Sequence, residues 1–429
     1  MKKIYIGIIG FGNIGAGVVK LLKKNFSLIK ERAGIEIRIK KAADIDLKKS
    51  RGIKIDKNVL TKDAHEIIDD PQIKIVVELI GGIHPAKEYI ISSLEKGKAV
   101  VTANKALLAE KGQELFKAAS QNNQDIYFEA SVCGGIPIIK TIREAMIANR
   151  INYMAGIING TANYILSRME EGLTFKQALI DAQKKGVAER NPYLDIEGID
   201  AAHKLVILGS LIFDIPLTLK DIYNEGISSL TPLDLKFAKE FGYAVKLLAV
   251  AKETNGNFQF RVQPSLIDIE HPLATVKDEY NAVYIQGDAT GKLLFYGKGA
   301  GQIPTASAVL SDIVDIARNL QSKTQMRIPP ITYLRNCYKV MPLEQLKSSY
   351  YLRIMAVDKP GVLAKVSNIL GEHNISIASV FQKERNKAEA VPIVMMTHEA
   401  KEKDIRIAIQ KIDKLPAVKG NTVRIRVEE

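Results

Sequence analysis

Short apolar runs alternate with amphipathic ones along residues 1–136. Lys2–Gly10 (KKIYIGIIG), Ile35–Asp46, Ile73–Gly82, Lys98–Ala103 and Asp125–Val132 read as strands, and the stretches between them as helices. Pro85 opens one of these helices and Gly97 closes it. The segment LLKKNFSLIKERAG lengthens the first helix, so the second strand arrives late. Strands that are apolar throughout need cover on both faces, which predicts a parallel sheet with helices on each side.

The period then changes. Gly134–Arg150 reads as a helix and Ile151–Gly160 as a strand, followed by a helix with Thr161 as its N-cap. Thr174 and Gln177 are spaced as a capping box, with Gly186 as the stop of that helix. Asp200–Phe213 is apolar on every side. Lys339–Ser349 breaks the pattern as a linker, and the tail then shows β, α, β, β, α, β. Its first strand ends at Asp358, its first helix follows Lys359-Pro360-Gly361, and a hairpin turns around Glu384–Lys387. The expected α/β fold has a dinucleotide domain (1–136), an α+β substrate and dimerisation domain (137–302), a helical return to the nucleotide domain (303–340), a linker (341–349) and a ferredoxin-like tail (350–429).

Composition narrows the class. A chain of 429 residues, 46% apolar, implies two or three cores. The net charge of +13 is spread without a basic block, and 6% aromatics with no Trp make a poor base-stacking platform, so no nucleic-acid partner is expected. Two cysteines, Cys133 and Cys337, give no disulfide framework. Glycines interrupt the apolar start and Lys20–Lys24 follow at once, unlike a signal peptide. No run is long enough to cross a membrane. A soluble cytoplasmic protein is expected.

The first strand runs into Gly10-Phe11-Gly12-Asn13-Ile14-Gly15, a G-x-G-x-x-G in the strand–turn–helix context that a dinucleotide site needs. Gly10 permits the turn, Gly12 lets backbone approach a pyrophosphate, and Gly15 lets helix and strand pack. Ligands of such sheets sit beyond the carboxyl ends of the strands, which places Gly81, Gly82, Thr102, Asn104 and Lys105 near a nicotinamide cofactor. Lys105 is either a surface lysine opposing a helix dipole or a cation aimed at the site; its place after VVTAN favours the second. Asp44 ends the second strand and suits a ribose 2′-hydroxyl, whereas Lys48, Lys49 and Arg51 suit a 2′-phosphate. Both NAD and NADP are expected to work, with a slight preference for NADP.

Gly186–Lys204 (GVAERNPYLDIEGIDAAHK) crowds Glu189, Asp195, Glu197 and Asp200 into a broken loop ahead of Lys204. A helix cap and a solvated surface account for Asp200 and Glu197. They account poorly for Lys204, which lies on one helix face with Asp200 and enters an apolar helix. Desolvation brings a lysine toward the range of an acid–base catalyst.

Ala182–Lys204 resembles the homoserine dehydrogenase signature: an Ala, a Gly, Asn-Pro, an Asp, Gly-x-Asp and a final Lys. GFGNIG, TANK (Thr102–Lys105), EASVCGGIP (Glu129–Pro137), NGTANYIL (Asn159–Leu166) and GKGAGQIPTASAVLSD (Gly297–Asp312) are similar to that family in the same order. The resemblance implies interconversion of L-homoserine and L-aspartate 4-semialdehyde with NAD(P). It implies Lys204 as proton donor, Lys105 and Asp200 as its catalytic neighbours, and Glu189, Asp195, Gly160 and Thr161 around the amino acid. It adds Gly301 to the cofactor site. It also implies a monovalent cation, Na+ or K+, on backbone oxygens of Glu129, Val132, Gly134 and Ile136. The tail resembles an ACT domain, which implies an amino-acid effector, with threonine expected, at Asp358, Gly361 and Asn374. The alternative for the tail is plain dimerisation. A chain ending near Gln345 is expected to stay folded and active, and the whole to form at least a dimer, as homodimer or homotetramer.

Two rivals remain at this point. Cys133 beside Gly134-Gly135 offers a thiolate to an acyl-phosphate-reducing semialdehyde dehydrogenase, although no histidine base lies near it in sequence. A non-catalytic amino-acid sensor would leave the intact Gly loop, Lys105 and Lys204 unexplained.

Overall fold

The computed structural model describes residues 2–48, 50–53, 55–333, 337–382 and 390–428. Lys49 and the hairpin turn Glu384–Lys387 lie outside the described residues. The chain forms two compact units that do not follow sequence order: 1–154, 202–222 and 281–338 in the first, 155–201, 223–280 and 339–429 in the second.

The first unit holds a six-stranded parallel sheet. Its strands are β1 Lys2–Ile9, β2 Ile35–Ala43, β3 Leu60–Thr61, β4 Ile73–Glu78, β5 Ala99–Thr102 and β6 Ile126–Tyr127, in spatial order β3-β2-β1-β4-β5-β6. The helices are α1 Asn13–Lys24, α2 Phe26–Ala33, α3 His65–Ile68, α4 Ala86–Glu95 and α5 Lys105–Gln121. Strand order reverses beside β1, the switch point where such sheets bind dinucleotides. The expected long first helix is broken at Asn25, where α1 ends and α2 begins. The expected helix Gly134–Arg150 is only α6 Ile138–Lys140, continued by a wide π-type turn over Thr141–Ala145.

Strand β7, Ile151–Ile157, begins in the first unit and ends in the second. The second unit then builds α7 Gly160–Glu170, α8 Phe175–Lys184 and α9 Tyr193–Ile196. Helix α10, Ile199–Phe213, returns to the first unit. Asn159, not Thr161, is the N-cap of α7, its Oδ1 accepting from the Ala162 N–H at 2.8 Å. The capping box of α8 forms as expected, and Gly186 follows with a φ of 70°.

Beyond these lie β8 Tyr223–Asn224, α11 Pro232–Glu240, β9 Tyr243–Thr254 and β10 Asn257–Asp268. The first unit takes the chain back with β11 Tyr280–Gly287, β12 Gly291–Lys298 and α12 Gln302–Ser322. Helix α12 buries Ala306, Val309, Ile313 and Ile316 in the same core as Ile6, Val18 and Val101.

The tail joins the second unit. Its elements are β13 Lys339–Val340, β14 Lys347–Ser348, β15 Tyr350–Val357, α13 Val362–Glu372, β16 Ile377–Phe381, β17 Ala390–Thr397, β18 Ala400–Lys401, α14 Glu402–Ile412 and β19 Val423–Glu428. The order β19-β15-β17-β16 is the expected ferredoxin-like sheet. It is not a detached module: β19 pairs in parallel with β10, Ser265 opposite Arg426 and Ile267 opposite Glu428. Arg353 of β15 donates to both oxygens of the fully buried Asp234 on α11, at 2.6 and 3.0 Å. Cutting near Gln345 would strand that carboxylate and bare the β10 edge, so the expectation of a separable tail does not fit this arrangement.

Candidate active site

At the nucleotide end, Gly10 has a φ of 102°, and a Cβ there would lie 2.6 Å from the Leu79 carbonyl carbon. A Cβ on Gly15 would sit 2.4 Å from the Gly10 oxygen, whereas one on Gly12 would meet nothing within 4 Å. Two of the glycines thus allow close packing, and the third leaves space at the first turn of α1. Phe11 is buried, and Asn13 and Ile14 open the helix. Gly301 caps α12 with a φ of 116°, and its neighbour Gln302 donates to the carbonyl and side-chain oxygens of Asn13 at 2.9 and 2.8 Å. Gly301 is therefore brought close to the Gly loop.

Behind the loops stands Glu78, fully buried at the carboxyl end of β4. Its Oε1 accepts from the N–H groups of Ile80 (2.8 Å) and Gly81 (3.3 Å), and its Oε2 from the Thr102 hydroxyl at 2.6 Å. Thr102 Oγ1 accepts from the Asn104 N–H, and Asn104 Nδ2 donates to the Gly82 carbonyl at 2.6 Å. Burial holds the Glu78 carboxyl above its usual range, against these donors. One carboxylate thus fixes Gly81, Gly82 and Thr102 together and sets Asn104 as the N-cap of α5, which starts at Lys105. Sequence reading passed over Glu78; its signal was a lone acid closing an apolar strand.

Asp44 is half-buried and already engaged. Arg51 pairs with it at 3.0 Å, donates to the Phe11 carbonyl, and lays its guanidinium 5.2 Å from the Phe11 ring centroid. Lys48 is exposed.

The Glu129–Ile136 turn is anchored deep in the first unit. The Glu129 carboxylate accepts from the N–H groups of Ile139 and Lys140 at 2.9 and 2.8 Å, and its own N–H donates to Asp312 at 2.8 Å. Burial raises the carboxyls of both acids. Burial also opposes the charge on Lys140, yet Asp312 and Asp315 outweigh it and hold its ammonium above the usual range. The Ile136 and Glu129 carbonyls accept from Ile138 (2.8 Å) and Val132 (3.5 Å), and a carbonyl oxygen retains a second lone pair. With Val132 and Gly134 buried beside them, this carbonyl-rich turn is compatible with a monovalent cation, though no metal-type cluster of His, Cys, Asp and Glu occurs among the described residues. Cys133 is 1% exposed, with a φ of 53°, and takes a contact from Asn281 Nδ2 at 3.7 Å. A thiol so enclosed suits packing better than attack.

In the second unit, Asn159 gathers the acids. Its Nδ2 donates to Asp195 Oδ1 at 2.7 Å and to Asp200 Oδ2 at 2.8 Å. One buried amide thus caps α7 through its oxygen and bridges two carboxylates through its nitrogen. Sequence reading had this residue inside a quoted motif without giving it a task. Gly160 opens α7, and a Cβ there would strike the Glu279 carbonyl at 2.6 Å. The Thr161 hydroxyl donates to the Val187 carbonyl at 2.9 Å, fastening the start of the acidic loop. Glu189 is exposed and is not drawn into this cluster; its carbonyl is held by Gln183 at 3.2 Å. Asp200 and Lys204 are one turn apart on α10, at 5% and 8% exposure. Lys105 is half-buried at the start of α5.

Three family models match the chain: the homoserine dehydrogenase NAD-binding domain over residues 10–129, homoserine dehydrogenase over 137–314, and the ACT domain over 350–417. A homoserine dehydrogenase of Pseudomonas aeruginosa is 45% identical over the full length of both chains. A crystal structure of a homoserine dehydrogenase from Thiobacillus denitrificans superposes with a TM-score of 0.93 at 44% identity, covering 100% of this chain and 99% of that one. The Staphylococcus aureus enzyme at pH 6.5 gives 0.79 at 33% identity, with the same coverage. Among the described residues no helix is long and apolar enough to cross a membrane.

Proposed function

The chain belongs to the homoserine dehydrogenase family, and from that premise we propose how its residues divide the NAD(P)-dependent oxidation of L-homoserine to L-aspartate 4-semialdehyde. The observation that carries the reading is the Asn159 amide holding Asp195 and Asp200 together one turn ahead of buried Lys204. Asp195 receives the α-ammonium, with Glu189, which lies outside the Asn159 cluster, as the second acid on its loop, and the N-terminus of α7 at Gly160 and Thr161 faces the amino acid. The Gly loop would hold the nicotinamide cofactor, which would supply the acceptor for the hydride lost from C4. Lys204 takes the hydroxyl proton as the carbonyl forms and returns it in the reverse direction, with Lys105 and Asp200 setting its charge environment. Gly10–Gly15, Gly81, Gly82, Thr102 and Gly301 hold the dinucleotide. We assign Lys48, Lys49 and Arg51 to a 2′-phosphate and Asp44 to a ribose hydroxyl, so both cofactors serve, with a slight preference for NADP. Backbone oxygens of Glu129, Val132, Gly134 and Ile136 would hold a Na+ or K+ ion.

The test is formation of reduced nicotinamide from L-homoserine in phosphate-free buffer. Turnover there supports the reading. Oxidation seen only with the semialdehyde plus phosphate, and abolished by Cys133→Ser, would transfer the assignment to the thiolate rival. We further propose a cytoplasmic homodimer or homotetramer in threonine and methionine biosynthesis, inhibited by threonine bound at Asp358, Gly361 and Asn374. Gly361 opens α13 with a φ of 87° and Asn374 has a φ of 57°, both exposed. Asn374→Ala should relieve threonine inhibition; equal inhibition of both proteins would remove the effector from that place.

A further inference from the structure

The turn between Asp195 and Asp200 is held from outside. Asn224 Nδ2 donates to the Glu197 carbonyl at 2.6 Å, and the Ile227 N–H to the Ile196 carbonyl at 2.8 Å. Gly226 lies so close that a Cβ would be 2.5 Å from the Ile196 oxygen and 2.7 Å from Glu197 Cα. Between Asn224 and Gly226 stands Glu225, whose N–H donates to Val262 of β10. Its carboxylate accepts from the Tyr223 hydroxyl at 2.7 Å and from Arg424 Nη2 at 3.3 Å, with Arg426 at 3.7 Å. Arg424 and Arg426 belong to β19 of the tail, and Arg426 also lies 5.0 Å over the Tyr223 ring. Asn224, Glu225 and Gly226 thus have the substrate turn on one side and the tail's arginines on the other.

We infer that Glu225, clamped by Arg424 of the tail, is a positioning residue for the turn that carries Asp195 and Asp200. The tail then acts as part of the substrate site's frame, whether or not it binds an effector. Replacing the Glu225 carboxylate by a neutral amide of the same shape removes its charge attraction to both guanidinium groups, so Asn224 and Gly226 gain freedom where they press on Ile196 and Glu197. Glu225 and Arg424 also line a cavity of about 730 Å³ with Ser229 and Arg406, so this part of the seam is open to solutes.

The inference builds on the proposed reaction, and the experiment separates the two. Full-length Glu225→Gln, Arg424→Ala and Tyr351→Phe are compared with wild type by hydrogen exchange and by kinetics. Tyr351 hydrogen-bonds Asp234 at 3.1 Å in the same seam, away from the turn's own hydrogen bonds to Asn224 and Ile227, so it reports general loosening. Glu225→Gln and Arg424→Ala should speed amide exchange in the peptide spanning Glu197–Asp200. They should raise the homoserine KM roughly threefold to tenfold, with cofactor KM unchanged. Tyr351→Phe should move neither. Unchanged exchange at Glu197–Asp200 in Glu225→Gln, or equal acceleration in Tyr351→Phe, overturns the inference. Exchange decides it even if wild type proves inactive on homoserine, an outcome that tells against the reaction alone.

Discussion

Two tight turns, at the sites proposed for the cofactor and for the amino acid, are built in opposite ways. At Gly10–Gly15 the middle glycine faces open space, and the turn is built to admit a ligand against bare backbone. At Ile196–Gly198 the nearby glycines face protein: a Cβ on Gly198 would lie 2.8 Å from Asn224 Oδ1, and one on Gly226 2.5 Å from Ile196 O. Here glycine lets two backbones touch, and recognition is left to side chains that a third residue holds in place. In the proposed function, nucleotide binding rests on shape and helix-terminal N–H groups, while amino-acid binding rests on a pair of acids bridged by the Asn159 amide.

The largest effect should come at the chemical step. Lys204→Ala should lower kcat by about two to four orders of magnitude, the range for losing a general acid–base, with cofactor titration unchanged. Retention of a tenth of wild-type turnover would sink that role. Asp195→Asn should next cost roughly tenfold or more in homoserine KM, since a charge-assisted bond to the ammonium is lost, with a much smaller change in kcat. A pure kcat loss would place Asp195 in the chemistry instead.

The glycines sharpen the contrast. Gly12→Ala should raise the cofactor KM while leaving the melting temperature nearly unchanged, because its Cβ enters empty space. Gly226→Ala should lower stability by about 1–3 kcal/mol through overpacking, read by thermal or urea unfolding. Matching behaviour of the two variants would erase the distinction between the turns. A smaller, global effect comes from Lys246, buried with its ammonium on the Val276 carbonyl at 2.6 Å and lowered by burial from 10.5 to about 8. Below pH 8 both folded and unfolded chains carry that proton. Between pH 8 and 10.5 the unfolded chain binds more, so this group's contribution to stability should rise with pH over that window. Lys246→Met should flatten the rise; an unchanged slope in melting temperature would locate it elsewhere.

The nucleotide end was legible in sequence because its requirements are local. Glycine spacing, apolar strands and the helix that follows are all written within a few residues of one another. The acid cluster was legible only as composition. Asp195 and Asp200 meet through Asn159, which lies 36 and 41 residues upstream, and no local pattern marks such a meeting. The cap of α7 went to Asn159 rather than Thr161 because the residue that caps the helix also reaches the acids, and the Thr161 hydroxyl is taken by Val187. The break at Asn25 and the π-type turn at Thr141–Ala145 interrupt amphipathic runs whose period looks continuous. The parallel seam of β10 with β19 joins strands far apart in the chain, and an alternating strand reads the same whether its edge is bare or paired.

The division between the turns is tested most directly by Asn159→Ala, measured for both Michaelis constants in one preparation. The lost cap should cost about 1 kcal/mol of stability, leaving a folded protein. Its homoserine KM should rise at least about tenfold as Asp195 and Asp200 part, while its cofactor KM stays within about twofold of wild type. An unchanged homoserine KM, or a cofactor KM that rises in step with it, would contradict the assignment of the amino acid to the Asn159 cluster.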